Sequence, residues 1–359
     1  MTEIRAPRRQ RSAPTISDVA SRAGVSPMTV SRVINGEKNV RQETRKRVET
    51  AIAELNYAPN AAARTLAGGD DIRIGLLHSN PSFAYLSEFL VGSLDQASRS
   101  NVHLVVEKCD ENGGEAAAVR RLLRGRIDGV VLPPPLSDSP ATLAALEEYR
   151  VPVVAVATGR APDWALSVSI DDRQAAYDMT RHLIGLGHQR IGFITGNPNQ
   201  TASAERLAGY HGAMVDAGLA EDPGLVADGL FTYRSGLDAA ELLLDLPNPP
   251  TAIFAANDDM AAATVAIAHR NGLDVPGDLT VCGFDDTALA TTIWPELTTI
   301  RQPVTEMSRT AIDLLVRAIR ATKPNAPAIG KPHLIAAYEL IRRQSDAAPR
   351  RRPATRGPR

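Results

Sequence analysis

Two groups of side chains in the 359-residue chain have types and spacing suited to chemistry. The first lies in Ser26-Pro27-Met28-Thr29-Val30-Ser31-Arg32-Val33-Ile34-Asn35. On a short helix, Val30, Val33 and Ile34 point inward, and Pro27, Met28, Ser31 and Arg32 are left to face base edges in a major groove. Arg32 is the strongest reader, because a guanidinium pairs in two places with guanine. Thr15, Ser26, Asn35 and Tyr57 are placed to touch phosphates, which sets register without reading bases. The second group is Arg206, Asn257 and Asp285. Asn257 and Asp285 each close an apolar run, Ile253–Ala256 and Val281–Phe284, and ligands of open α/β sheets sit beyond such strand ends. An amide and a carboxylate can hold adjacent hydroxyls, and Arg206 adds a planar donor fork. Asn and Asp are also common turn formers, and Arg206 could equally hold a structural carboxylate. Ser79, Phe83 and Tyr85 follow the first apolar run of the body and could line the opposite wall, although an aromatic is as often core.

Enzymatic signatures are missing. There is no Gly-rich phosphate loop, no Gly-x-Ser-x-Gly elbow and no paired Cys/His metal spacing. Asp258-Asp259 and Asp285-Asp286 lack a third hard ligand nearby. The chain is therefore expected to be no enzyme and to need neither cofactor nor metal. Cys109 and Cys282 are the only cysteines, too far apart in sequence to suggest a disulfide framework and suited to a reducing cytoplasm. The longest apolar stretches, such as Val151–Ala157, are too short for a bilayer, and the basic N-terminus has no apolar run behind it. No membrane association is expected.

The elements that must position these groups are legible. Thr15 and Asp18 form a variant capping box ahead of a helix with Ile16, Val19 and Ala20 inside, and Gly24 ends it. Ser26 caps a second helix with Pro27 at its first position, and Asn35-Gly36 closes it. A third helix runs from about Gln42 to Leu55. Pro59 stops the chain, Asn60 offers an N-cap, and Ala61–Ala67 forms a segment too short to be stable alone. From residue 71 apolar runs alternate with helical stretches: Ile72–His78, Val102–Glu107, Ile127–Leu132, Val151–Ala157, Leu166–Ile170, Arg190–Thr195, Thr251–Ala256, Leu279–Phe284 and Leu334–Tyr338. That alternation means parallel sheets with helices on both faces, and the length suits two similar lobes with a cleft between them. His188, between helix and strand, is assigned to structure.

Charge follows the same division. The net charge is -1, yet residues 1–69 carry +6 and residues 342–359 another +6, which leaves -13 on the middle. A basic head suits a polyanion, whereas the Arg-rich C-terminal stretch reads as a solvated tail.

Residues 15–69 resemble the head and hinge of LacI/GalR family repressors. The likeness rests on Asp18-Val19-Ala20, Val30-Ser31-Arg32-Val33-Ile34-Asn35, Leu55-Asn56-Tyr57-Ala58-Pro59-Asn60 and Ala63-Arg64-Thr65-Leu66. It continues to about residue 343 through Leu186-Gly187-His188, Arg206-Leu207-Ala208-Gly209-Tyr210, Ala256-Asn257-Asp258-Asp259, Gly283-Phe284-Asp285-Asp286 and Leu297–Pro303. The resemblance implies that Asn60, Ala63 and Leu66 meet the minor groove, with Leu66 wedged between central base pairs. It also implies that Arg206, Asn257 and Asp285 touch the effector, with Phe231 under a sugar ring. Two departures stand out. Pro27 and Met28 occupy positions where the family chooses operators, and neither is a strong hydrogen-bond reader, so base choice leans on Arg32, the hinge and DNA shape. Where one family member carries a hydroxyl-binding aspartate, this chain has Ala157, which leaves Asp171 or Asp172 as the substitute.

The fold class implied is α/β. A three-helix helix-turn-helix domain and hinge helix precede a two-lobed core of doubly wound parallel sheets, like that of periplasmic sugar-binding proteins. The expected organisation is a disordered basic arm over 1–14, the helix-turn-helix domain over 15–59, the hinge over 60–69, the body over 70–343 and a disordered tail over 344–359. The N-lobe is expected at about 71–172 and 303–330, the C-lobe at about 173–300 and 331–343. The function implied is a ligand-responsive transcriptional repressor, a cytoplasmic homodimer on a near-palindromic double-stranded operator, with a sugar or glycoside as effector and carbohydrate-utilisation genes as targets. The same residues fit an activator, and a sugar-binding protein without a DNA role is the remaining alternative.

Overall fold

A computed structural model of the chain describes residues 14–34, 40–55, 57, 72–109, 114–219, 222–321 and 333–350. It divides into two units, Met1–Asp71 and Ile72–Arg359.

The first unit contains α1 (Ile16–Ala23), α2 (Pro27–Ile34) and α3 (Gln42–Leu55). The capping box at α1 is complete: Thr15 N–H donates to Asp18 Oδ2 (2.7 Å) and Thr15 Oγ1 accepts from Asp18 N–H (3.4 Å). Those bonds from Thr15 hold the Asp18 carboxyl below the usual carboxylate range. Gly24 turns the chain out of α1 at φ 66°, a conformation that costs glycine little. Val19, Ala20, Val30, Val33, Val48 and Ala51 meet in one small core. Tyr57 belongs to that core too, only 8% exposed. Its ring fills the end of the three-helix core, where an apolar face contributes more than a surface contact. Asn35, Asn60, Ala63 and Leu66 lie outside the described residues.

The second unit runs β1 (Arg73–His78), α4 (Phe83–Ser100), β2 (His103–Lys108), α5 (Glu115–Leu123), β3 (Gly129–Leu132), α6 (Pro140–Glu148), β4 (Val153–Val156) and β5 (Leu166–Ser169). It continues with α7 (Asp172–Gly185), β6 (Ile191–Ile194), α8 (Thr201–Asp216), β7 (Val226–Ala227), α9 (Tyr233–Leu244), β8 (Ala252–Ala255), α10 (Asp258–Arg270), β9 (Thr280–Asp285), α11 (Ala288–Thr292) and β10 (Thr298–Arg301). It ends with α12 (Val304–Ala321), β11 (His333–Ile335) and β12 (Glu339–Ile341). Among the described residues there are two six-stranded sheets, ordered β11-β5-β4-β3-β1-β2 and β12-β10-β9-β8-β6-β7. These sheets are the cores of an N-lobe and a C-lobe. The pairings are parallel except β10 with β12. The central strands β3, β4, β6 and β8 are buried along their whole length, as strands covered by helices on both faces must be.

The chain passes between lobes three times: after β5, after β10 and between β11 and β12. Residues 333–335 pair with β5 in the N-lobe sheet, so the expected C-lobe boundary at 331 is corrected. The residues that cross between β11 and β12 are 336–338.

Residues 344–350 are also not the disordered tail expected. Ser345 and Asp346 are buried, and Ser345 Oγ donates to the Val281 carbonyl (2.6 Å) while Val281 N–H donates to the Ser345 carbonyl (2.9 Å). His188, buried as expected of a structural residue, contacts Thr251 Oγ1 and the Ala347 carbonyl, both at 2.8 Å. Polar pairing, not apolar periodicity, docks this segment against β9 and β10.

Asp346 anchors it, accepting from Thr298 Oγ1 (2.6 Å) and contacting His182 Nε2 at 2.7 Å. Burial raises its carboxyl, but these bonds and the Arg342 charge win and leave it below the ordinary value. A depressed folded value means stabilisation that is present above the unfolded value and lost as pH falls through the folded one. Asp346→Ala is expected to cost about 1–3 kcal/mol at neutral pH, with the gap from the parent closing below about pH 4; calorimetry across pH checks both.

Candidate functional site

On α2, Pro27, Met28 and Arg32 are exposed and Ser31 is half-buried, while Val30 and Val33 on the far side are buried. Met28 is 65% exposed, a large apolar side chain displayed on the same surface as Arg32. Thr15 and Ser26 are exposed and committed to capping, Ser26 Oγ accepting from Thr29 N–H (3.2 Å). The helix surface presents one guanidinium beside a large apolar side chain.

In the body, the ends of strands and starts of helices from both lobes surround a small cavity of about 30 Å³, room for roughly one water. Tyr85, Arg206, Phe231, Asn257 and Asp285 line it together, as the sequence suggested. Ser79 and Phe83 do not: Ser79 is buried outside the lining, and Phe83, at the first position of α4, is 82% exposed. Asp172 does not line it either, and instead accepts from Arg206 Nε at 2.8 Å. It is a support for the guanidinium rather than a substitute at Ala157. Ala157 itself lines the cavity.

Arg206 is the organising group. It is 4% exposed. Its Nη1 donates to the Ala256 carbonyl (2.5 Å) and lies 3.8 Å from Asp285 Oδ1. Its guanidinium carbon sits 3.5 Å from the centroid of Phe284 and 5.7 Å from that of Phe231, so rings cover the cation where carboxylates do not. Gly209, one turn further along α8, lets the helix approach α7 closely; a methyl there would collide with the Arg173 carbonyl. Asn257 caps α10, its Oδ1 accepting from Met260 N–H (3.0 Å), and its Nδ2 donates to the Phe231 carbonyl (3.1 Å). Turn-forming and site-building are therefore one role here.

Gln302, Asn80, Ser82 and Gln200 also line the cavity and were not among the expected site residues. Gln302 Nε2 donates to Asp285 Oδ1 (2.5 Å), while its buried Oε1 and the buried Tyr85 hydroxyl have no hydrogen-bond partner. Buried polar atoms that face a cavity without a partner can pair with a ligand or with water. No strand end marks Gln302 in sequence: it lies on the crossover between β10 and α12.

Three cavity-lining residues other than glycine have left-handed backbones: Ala157 (φ 54°), Phe231 (φ 59°) and Asp285 (φ 113°). Strain of this kind persists only where the surroundings over-determine it, and it gathers at sites of function. Asp258, fully buried, accepts from Thr287 N–H (2.8 Å) and Thr299 Oγ1 (2.7 Å) and braces the turn after Asp285. Burial raises Asp258 well above the ordinary value, as do the charges near it. Burial likewise lifts Asp285 to about 7, against the opposing pull of Arg206 and the bond from Gln302. Asp172 is raised by burial despite Arg206. Among the described residues no cluster of His, Cys, Asp and Glu could hold a metal ion, and no helix is long and apolar enough to cross a membrane.

A helix-turn-helix head and a two-lobed body with a polar inter-lobe cavity define a DNA-binding regulator that senses a small molecule. Comparison with known proteins agrees. Residues 15–60 match the model of bacterial regulatory proteins of the lacI family, and residues 180–345 match a periplasmic binding protein-like domain. Catabolite control protein A of Priestia megaterium is 35% identical over 326 residues, which cover 89% of this chain and 97% of that protein. The structure of the transcriptional regulator CelR in complex with cellobiose is similar with a TM-score of 0.69 and 33% identity, covering 93% of this chain and all of that one. The Lac repressor dimer bound to operator and the anti-inducer ONPF is similar with a TM-score of 0.77 and 29% identity over 94% of this chain and 100% of that one. The chain belongs to the lacI family of bacterial regulatory proteins; it is a transcription regulator and not an enzyme.

The raised value of Asp285 has a stability sign. A carboxyl whose folded value exceeds its unfolded one holds its proton in the fold, so stability falls as pH rises from about 4 towards about 7. Asp285→Asn is expected to flatten that slope and to melt above the parent at pH 8. A parent profile without the slope between those pH values contradicts the assignment.

Proposed function

We propose that this regulator is a repressor that binds a near-palindromic double-stranded operator as a homodimer in the cytoplasm, and that a sugar or glycoside in the inter-lobe cavity sets its grip on DNA. The observation that carries the effector class is the lining itself. Arg206, Asp285, Gln302 and Tyr85 supply donors and acceptors for vicinal hydroxyls, and Phe231 supplies a ring face for the apolar side of a pyranose. Similar regulators are described with cellobiose, in CelR, and with ONPG, in the Lac repressor, which supports the same ligand class here.

On the DNA side, Arg32 reads guanine in the major groove, Pro27, Met28 and Ser31 complete the reading face, and Thr15 and Ser26 hold phosphates. Asn35, Asn60, Ala63 and Leu66, outside the described residues, complete the interface, with Leu66 as the minor-groove wedge. The ligand acts only through a difference in affinity between the DNA-bound and DNA-free forms. Carbohydrate-utilisation genes are the targets that such a ligand would serve.

A thermal-shift screen of mono- and disaccharides, glycosides and purines tests the effector class. A sugar is expected to raise the melting temperature by mass action, and a shift with purines alone would replace the sugar reading. Once a sugar is found, Asp285→Ala is expected to leave operator affinity within about twofold and abolish the ligand response. Arg32→Ala is expected to lose about 1–3 kcal/mol of discrimination between operator and mismatched duplex; equal discrimination in a binding titration would remove Arg32 from its role. A reporter strain lacking the gene separates repressor from activator by the direction of the change.

A further inference from the structure

The N-terminus of α8 has no cap from its own segment. Its N-cap, Gln200, makes no side-chain capping bond. The missing acceptor comes from the other lobe. Asp138, in the short turn after β3, accepts from Thr201 N–H through Oδ2 (2.9 Å) and from Thr201 Oγ1 (3.0 Å). Thr201 Oγ1 in turn accepts from Gly159 N–H, again across the cleft (2.7 Å), and Thr158 Oγ1 steadies the carboxylate from behind (2.5 Å). Asp138, Thr158 and Gly159 are N-lobe residues, and Thr201 is the first residue of a C-lobe helix. A carboxylate at a helix N-terminus satisfies an orphan N–H and meets the positive end of the helix dipole. Here that favourable contact joins the two lobes.

The helix so capped is the one that carries Arg206, little more than one turn further on. Its neighbours at the cap, Gln200 and Ala202, line the cavity. Other side-chain bonds also cross the cleft: Ser82 Oγ donates to Asp259 Oδ2 at 2.6 Å, and Glu88 accepts from the Ala288 backbone.

We propose that Asp138 is a positioning residue that couples closure of the cleft to the placement of Arg206, by capping α8 across the lobes only in the closed form. Ligand entry then requires the cap to break. The assignment rests on the reading of the inter-lobe cavity as the effector site, but its test uses neither ligand nor DNA.

The test measures lobe separation in the full-length protein. Cys109 and Cys282 are buried, so cysteines introduced at the exposed positions Tyr149 in the N-lobe and Leu242 in the C-lobe take spin labels selectively. Pulsed dipolar spectroscopy then gives the distance distribution for the parent, Asp138→Ala, Asp259→Ala and the double variant. Asp138→Ala is expected to lower the ratio of closed to open population about tenfold, the scale of one or two charge-assisted hydrogen bonds. Asp138→Asn, which keeps an acceptor oxygen, is expected to restore part of it. Adding Thr201→Val to Asp138→Ala is expected to lower the closed population further only by the loss of the Gly159 N–H bond. Amide exchange in the first turn of α8 is expected to quicken with Asp138→Ala, a readout that general destabilisation would not confine to that turn. An unchanged distance distribution in both the parent and Asp259→Ala backgrounds, with unchanged exchange in α8, overturns the proposal. It would leave the effector reading, which Asp285→Ala tests by ligand response, where it stands.

Discussion

A guanidinium taken out of water must be paired or it costs more than a small domain can bear. Arg206 meets that demand with contributions from three C-lobe elements. Asp172 comes from the start of α7, the Ala256 carbonyl from the end of β8, and Phe284 and Asp285 from the end of β9. Each of these must be in place before Arg206 can be, and Gly209 must leave α8 room to lie against α7. Most of the geometry of the cavity follows from this one buried cation. The ring of Phe284 takes one face, the carboxylate of Asp172 takes Nε, and the remaining edge looks towards Asp285 and the cavity.

The compensation is close but incomplete. Asp172 is paired at 2.8 Å, whereas Asp285 stands 3.8 Å away and leans on Gln302 instead. Burial therefore moves Asp285 towards neutrality, and the Gln302 and Tyr85 oxygens are left without partners. A site with its cation fixed, its acid half-committed and two buried oxygens unsatisfied has free energy to gain from a ligand rich in hydroxyls. Three left-handed residues on the same lining show that the local backbone is held by its surroundings. The three passages of chain between lobes are the natural place for the cleft to open and shut, since hinges are a few residues at the ends of elements.

Much of this was legible in the sequence, and for physical reasons. Apolar runs ending in a polar residue located Asn257 and Asp285, because parallel strands buried on both faces leave a clear boundary where they emerge. The Thr15–Asp18 capping box and the Ser26-Pro27 start were legible because caps are local chemistry. What escaped reading depends on contacts distant in sequence. Gln302 lies on a crossover with no periodic signal. The strand β10, Thr298–Arg301, hides its threonines by bonding them to Asp258 and Asp346, residues 41 and 48 positions away. The docking of Ser345 and Asp346 depends on the same polar pairing, so a segment that looked unstructured by composition is buried. Asp172 was singled out as a possible ligand contact and serves instead as the partner of Arg206, because an acid and a guanidinium at the two ends of one network cannot be told apart by type alone. The ring of Tyr57 belongs to the core of the three helices, which its polar tip did not announce.

The account stands on linkage between the cavity and the DNA-reading head, and linkage is reciprocal by thermodynamic necessity. The most direct measurement takes an operator duplex selected from random sequence and a sugar found to bind. It determines the ligand's dissociation constant for the free protein and for the protein saturated with operator. The account predicts that the two differ by at least about fivefold, and that the operator's own dissociation constant shifts by the same factor when ligand is saturating. Identical ligand constants in the two forms, with binding at the cavity intact, would contradict it.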